Sequence, residues 1–73
     1  LPKNLSGFDV VKALSKAGFI SKRQKGSHVI MEKIDAGIRW GCVVPMHKEV
    51  KIGTLNGILR QARISDEDFL KLL

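Results

Sequence analysis

Residues 28–45 read HVIMEKIDAGIRWGCVVP, and this stretch decides the fold. Both halves are rich in residues that favour β-strands, and Asp35-Ala36-Gly37 between them has the composition of a turn. We therefore predict strands over His28–Ile34 and Ile38–Pro45 that pair as an antiparallel hairpin. Pro45 has no amide hydrogen to donate to a strand ladder, so the second strand is expected to end there.

A further strand is predicted immediately before this hairpin. Phe19–Gln24 is apolar at its start and basic at its end, and Lys25-Gly26-Ser27 has the composition of a tight turn that leads into His28. Two tight turns in succession predict a meander of three antiparallel strands.

Helical segments flank the predicted strands on both sides. Ser6 and Asp9 have the spacing of a capping box, and apolar residues then recur every three or four positions until Gly18, a candidate left-handed C-cap. After the strands, Thr54 is the predicted N-cap of a second helix, and Ser65 opens a short third one. The predicted order is α-β-β-β-α(-α), an α+β fold with its helices on one face of a three-stranded antiparallel sheet.

The composition indicates one small basic domain, residues 1–73, with a net charge of +6. A compact basic domain tends to bind polyanions, although a protein can also be basic without such a partner. The single cysteine, Cys42, forms no internal disulfide, which excludes the disulfide-rich secreted class and favours the reducing cytoplasm. No apolar run approaches the ~18 residues that a membrane span requires, so we expect a cytoplasmic protein without a membrane partner.

The two histidines, His28 and His47, are predicted to face each other at one end of the hairpin. A tight turn between the strands makes the numbers of paired residues sum to about 72 or 73, so His28 lies opposite Val44 or Pro45. His47 follows that partner within three residues. The alternative is that both histidines are exposed strand-end residues without a catalytic role.

Two neighbouring imidazoles can serve as general base and general acid at neutral pH. In a basic groove, the reaction that uses such a pair is cleavage of an RNA phosphodiester through attack by the 2′-oxygen, which requires no metal. Nearby cations would neutralise the charge that develops on the phosphate. Ser27 is a candidate for a hydrogen bond to His28 or to phosphate, although serine also favours the turn itself. The candidate RNA-binding residues are Lys22, Arg23, Lys25, Ser27, Lys48 and Lys51.

Other features of the sequence carry weaker functional signals. Arg60 and Arg63 either continue the basic track or lie on the solvated face of the second helix, and we favour the solvated face. Trp40 alternates with Cys42, which predicts a core position, and stacking on a base is the alternative. Cys42 and the two histidines lack the paired spacing of a zinc site, and no glycine-rich loop indicates a nucleotide cofactor.

Several motifs together resemble the HicA family of messenger-RNA interferase toxins. The resemblance extends from about Val10 to Leu73. The motifs are Gly18-Phe19, Gly26-Ser27-His28, Pro45-x-His47, Gly53-Thr54-Leu55, Ile58-Leu59-Arg60-Gln61-Ala62, Ile64-Ser65 and Phe69-Leu70.

The resemblance implies a fold similar to double-stranded RNA-binding domains and a metal-independent endoribonuclease toxin that uses no cofactor. The family's essential histidine follows Gly-Ser, which corresponds to His28, with Gly26 shaping the turn that presents it. The role of His47 depends more on the hairpin register than on the resemblance. A cognate HicB-like antitoxin that covers the active face is also implied.

Two other function classes remain compatible with the residues. A non-catalytic double-stranded RNA-binding module would have the same fold and the same cations. A structural or DNA-binding partner protein would also be basic. Neither of these two classes cleaves RNA, so cleavage that depends on His28 would distinguish the endoribonuclease from both.

Overall fold

The computed structural model describes all 73 residues, with three helices and three strands. In chain order the elements are α1 (Gly7–Lys16), β1 (Ile20–Lys25), β2 (His28–Asp35), β3 (Ile38–Pro45), α2 (Ile52–Ala62) and α3 (Asp66–Leu72). This order confirms the predicted α+β class. The bounds of β3 are as predicted, and β2 extends one residue further than predicted, to Asp35. β1 begins and ends one residue later than predicted, because Phe19 follows the end of α1 and is buried in the core.

The sheet is antiparallel with the order β1-β2-β3. Asp35 pairs with Ile38, so β2 and β3 are joined by a turn of two residues, Ala36 (φ 50°) and Gly37 (φ 78°). Positive φ at both central positions is the signature of a type I′ turn, whose twist matches that of the strands. The same register places His28 opposite Pro45, one of the two partners expected from the sequence.

The first hairpin also closes through two residues, because Lys25 pairs with His28. Gly26 has a φ of 59° and Ser27 does not have a positive φ, which is the pattern of a type II′ turn with glycine at its first central position. A bulge between Ser21 and Arg23 interrupts the pairing of β1 with β2.

Both ends of α1 are fixed by the residues expected from the sequence. Ser6 and Asp9 form the reciprocal hydrogen bonds of a capping box. At the other end Gly18 has a φ of 96°, its N–H donates to the carbonyl of Ser15, and the N–H of Phe19 donates to the carbonyl of Leu14. These two bonds define a Schellman motif, which turns Phe19 back onto the helix.

The start of α2 differs from the prediction that Thr54 is its N-cap. Lys51 is the N-cap residue, with extended backbone angles of φ −66° and ψ 150°, and its carbonyl accepts a hydrogen bond from the N–H of Leu55. Thr54 therefore lies inside the first turn. The Lys51 side chain makes no capping hydrogen bond. Lysine is also not one of the residues preferred as N-caps, so the sequence does not indicate that α2 begins here.

The core lies between one face of the sheet and the helices. Fourteen buried apolar residues form a single cluster. The strands contribute alternate residues, among them Val29 and Met31 from β2 and Cys42 and Val44 from β3. The intervening residues form the outer face of the sheet, which no helix covers, and Ile34 and Val43 are exposed there. The end of the sheet that carries His28 is therefore open to solvent.

Candidate active site

His28 is the first residue of β2 and comes directly after the type II′ turn. Its backbone partners are Lys25 on β1 and Pro45 on β3, so it lies where both hairpins meet one end of the sheet. The imidazole is exposed. Gly26 thus fixes the turn and through it the place of His28.

His47 lies in the segment between β3 and α2, and backbone hydrogen bonds hold this segment at both sides. The N–H of Met46 donates to the carbonyl of Ser27 over 2.6 Å, and the N–H of Gly7 donates to the carbonyl of His47 over 2.9 Å. A β-carbon on Gly7 would overlap the carbonyl of Pro45, so only glycine permits this approach of α1. The chain therefore fixes the backbone of His47 relative to the turn before His28.

His28 and His47 both line one cleft of about 360 Å³ at this end of the sheet. The register of β2 with β3 and the course of the chain after Pro45 bring them there. The rest of the lining comes from the end of β3, from the segment between β3 and α2, and from the first turn of α2, and comprises Pro45, Glu49, Val50, Lys51 and Thr54. The residues that line this cleft, which we call the histidine cleft, thus include two histidines, one lysine and one glutamate.

The structure brings only some of the candidate RNA-binding residues to this cleft. Lys51 lines it, while Lys48 is exposed in the same segment without lining it. Lys25 pairs with His28 across the turn. The backbone carbonyl of Ser27 accepts the hydrogen bond from the N–H of Met46.

The two other candidates lie further from His28, on β1. Arg23 pairs with Ile30 and is exposed. The ammonium of Lys22 lies 3.2 Å from a carboxylate oxygen of Glu32, and Arg39 approaches the same oxygen to 3.5 Å. Part of the charge of Lys22 is thereby balanced within the protein.

Two residues of the histidine cleft with polar side chains, Glu49 and Thr54, were not among the site residues predicted from the sequence. Glu49 supplies the only carboxylate of the lining, and Thr54 was assigned only a capping role. The positions of both residues depend on the path of the segment from Met46 to Lys51, which backbone hydrogen bonds to Ser27, Gly7 and Leu5 hold in place. No local pattern in the sequence signals this path.

Comparison with known families identifies this architecture. The family model described as the HicA toxin of bacterial toxin–antitoxin systems matches residues 7–64. The chain belongs to the HicA toxin family. Comparisons with curated proteins and with solved structures found no match. The matched residues include the whole histidine cleft and end before α3.

Cys42 of this HicA toxin belongs to the core and not to the histidine cleft. Its side chain is buried, and burial raises the pKa of the thiol to about 11. A thiol that stays protonated is a poor metal ligand and a poor nucleophile. No group of three or more His, Cys, Asp or Glu side chains in the toxin lies together in an arrangement that could hold a metal ion.

Trp40 of the toxin packs at the rim of the core, as its alternation with Cys42 predicted. Its indole N–H donates to the carbonyl of Ala62 over 2.9 Å, and Phe19 meets the ring edge-to-face at 6.5 Å. The guanidinium of Arg63 lies 5.2 Å from the ring centre. Arg60 and Arg63 are both exposed, as the sequence analysis favoured, and Arg63 additionally lies over Trp40 because the chain turns at the end of α2.

The helices of the toxin carry no membrane signal. None of them combines the length and the apolar composition that crossing a bilayer requires.

Proposed function

We propose that this HicA toxin is an endoribonuclease that cleaves messenger RNA by acid–base catalysis, with His28 as a catalytic residue and His47 as its partner. The observation that supports the proposal is that His28 and His47, both exposed, line one cleft with Lys51 and the start of α2. We propose the cytoplasm as the place of action.

The chemistry requires one neutral and one protonated imidazole. The neutral imidazole accepts the proton of a ribose 2′-hydroxyl while the 2′-oxygen attacks the adjacent phosphorus. The bond from phosphorus to the 5′-oxygen breaks, and the protonated imidazole donates its proton to that oxygen. The products are a 2′,3′-cyclic phosphate on one fragment and a 5′-hydroxyl on the other, so atoms and protons balance without a metal.

The start of α2 supports the binding of the phosphate that reacts. The first N–H groups of a helix have no partner within it, and the helix dipole gives this end a partial positive charge. The first turn of α2 carries no acidic residue, and Lys51 is its N-cap. These groups would stabilise the negative charge that builds up on the non-bridging oxygens in the transition state.

Cations outside the cleft would bind the flanking phosphates of the RNA. Lys25 lies beside His28 across the turn, and Lys48 lies one residue after His47. Contacts of this kind bind without regard to sequence and weaken as the salt concentration rises. The remaining residues that we propose for this role are Lys22, Arg23 and Ser27, with Gly26 positioning the turn.

A HicB-like antitoxin is the proposed protein partner, covering the face that carries His28. The outer face of the sheet supports a protein partner, since Ile20, Ile34 and Val43 are exposed there. Exposed apolar side chains among charged ones are typical of protein interaction surfaces.

The experiment that tests the proposal compares the purified wild-type toxin with His28→Ala on one messenger RNA. We expect cleavage to fall by about 10²- to 10⁴-fold, the usual contribution of a general acid or base. RNA affinity should be largely kept. Because His28 is exposed, the melting temperature should stay close to that of the wild type.

The same comparison decides between the proposed nuclease and the non-catalytic double-stranded RNA-binding module, which the fold and the exposed cations would also suit. For that module, neither protein cleaves RNA and both bind it equally. A wild type that binds without cutting would overturn the nuclease proposal.

A further inference from the structure

A second cleft, of about 400 Å³, lies at the opposite end of the sheet from His28. We call it the tryptophan cleft. Its floor is formed by Phe19 and Trp40, and its walls come from β2, from the link between α2 and α3, and from α3. It shares no residue with the histidine cleft.

Three cations from three different elements line the tryptophan cleft: Lys33, Arg63 and Lys71. None of these three forms an ion pair, since the two ion pairs of the protein join Glu32 to Lys22 and to Arg39. Asp68 is the only carboxylate of the lining, while its neighbours on α3, Asp66 and Glu67, do not line the cleft. Three positive charges thus face one negative charge, which favours an anionic ligand.

Aromatic rings hold two of these cations in place. The ammonium of Lys33 lies 5.9 Å from the ring centres of both Phe19 and Trp40, and the guanidinium of Arg63 lies 5.2 Å from that of Trp40. Gly18 leaves room for Lys33, since a β-carbon there would stand 3.3 Å from its side chain. The cations cover the rings, so the cleft offers positive charge and not a free surface for base stacking.

Arg63 takes this position against the preference of its backbone. It adopts the left-handed conformation, with φ 60° and ψ 40°, at the end of α2. Glycine is the usual residue there, because it adopts this conformation without steric strain. An arginine at this position costs backbone strain that glycine would avoid, and it places a guanidinium group at the tryptophan cleft. Strained backbone is often found at functional sites, which favours a functional role for this positive charge.

We propose that the tryptophan cleft binds a backbone phosphate of the RNA, several nucleotides away from the bond that is cut. The inference rests on the proposed nuclease function. Lys33 lies five positions after His28 on β2, so at ~3.3 Å per residue their backbones stand about 17 Å apart along the strand, with His28 on the outer face and Lys33 on the face that the helices cover. A few nucleotides of extended RNA span this distance.

The course of α2 favours RNA over an acidic segment of a protein partner. α2 begins at the histidine cleft with Thr54 in its first turn and ends at the tryptophan cleft with Ala62. It contains no Asp or Glu, so its exposed face does not repel a phosphate chain between the two clefts. One polyanion can thus reach both sites.

Trp40 is the only tryptophan of the chain, so its fluorescence reports on the cleft directly. The experiment uses the His28→Ala toxin, which we expect to leave RNA intact, and titrates it with single-stranded oligouridine RNA of roughly ten nucleotides. We expect a saturable change in Trp40 fluorescence that follows RNA binding measured independently by fluorescence anisotropy of labelled RNA.

Two variants in the same background remove one cation each: Lys33→Gln, and Arg63→Asn, whose asparagine tolerates the left-handed backbone. Each should raise the Kd for the RNA roughly three- to tenfold, the range expected for one lost hydrogen-bonded contact. Each should also reduce the slope of log Kd against log salt by about one. Lys12→Gln is the matched control, because Lys12 is a cation on α1 that lines neither cleft.

The inference is overturned if RNA binds while Trp40 fluorescence stays constant, or if Lys33→Gln and Arg63→Asn weaken binding no more than Lys12→Gln does. It is also overturned if poly-glutamate changes the fluorescence and RNA does not, since the ligand would then be an acidic protein segment. A toxin whose Trp40 responds to RNA but which never cuts RNA would instead contradict the proposed function.

Discussion

His28 owes its position to Gly26, two residues before it. A φ of 59° is open to glycine without strain, and it lets the chain turn within two residues, so that Lys25 and His28 become direct partners. A β-carbon on Gly26 would meet no atom within 4 Å, so the backbone angle and not space is the reason for glycine here. The motif Gly26-Ser27-His28 thus forms a tight turn that places His28 at a corner of the sheet.

The Asp9 carboxylate gives the stability of the toxin a defined pH dependence. Hydrogen bonds from the backbone and the side chain of Ser6 hold the pKa of Asp9 below its usual value of 3.8. A carboxyl group with a lowered pKa in the folded state stabilises the protein above its unfolded pKa, and this contribution is lost as the pH falls through the folded value. We therefore predict that Asp9→Asn is less stable than the wild type at pH 7.

The difference between Asp9→Asn and the wild type should shrink as the pH falls below about 4. Urea unfolding of both proteins across the acid range measures it. A stability difference that is equal at neutral pH and at about pH 2 would show that the charge of Asp9 makes no contribution.

The side chains that line the histidine cleft could be predicted only where the hairpin register dictates them. The turn after Asp35 is local, so counting from it placed His28 opposite Val44 or Pro45, and the structure has Pro45. Glu49 has no such anchor, because its place depends on hydrogen bonds from Met46 to Ser27 and from Val50 to Leu5. Contacts between residues far apart in the chain leave no periodic signal in the sequence.

The helices differ in how clearly the sequence marks their ends. The caps of α1 use side-chain and glycine signals, and both were predicted. α2 begins at Lys51 without a side-chain cap and ends at Arg63, where glycine would be usual. Thr54 was therefore predicted as the start of α2, and the contact of the exposed Arg63 with Trp40 was not foreseen. The stability of α2 therefore depends on the packing of its buried residues against β3 more than on its capping residues.

Gly57 in α2 offers a test of that dependence on packing. A β-carbon there would meet nothing within 4 Å, and the residue lies inside the helix. Gly57→Ala should therefore stabilise the toxin by about 1 kcal/mol, because alanine favours the helix and restricts the unfolded chain. For a protein of this size the melting temperature should rise by roughly 4–8 °C.

Gly7→Ala is the opposing control for Gly57→Ala. Gly7 also lies in a helix, but its β-carbon would overlap the carbonyl of Pro45 and crowd Met46. The melting temperature should therefore fall. Equal shifts for the two variants would contradict the account of how α1 approaches the segment that carries His47.

The molecule as a whole places its two clefts at opposite ends of one sheet, with α2 running from one to the other. The helices cover one face, and the outer face stays open with Ile34 and Val43 exposed. The +6 charge indicated a polyanionic partner at the outset. The tryptophan cleft was beyond sequence analysis, because it requires β2, α2 and α3 to converge on Trp40.

The most direct test of the account compares the action of the wild-type toxin on one RNA in two forms, with native riboses and with 2′-O-methylated riboses. If an imidazole removes the 2′-proton, the native RNA is cut into fragments with 2′,3′-cyclic phosphate and 5′-hydroxyl ends. The methylated RNA should bind and remain intact. Equal cutting of both forms, or native fragments that carry 5′-phosphate ends, would contradict the mechanism at His28.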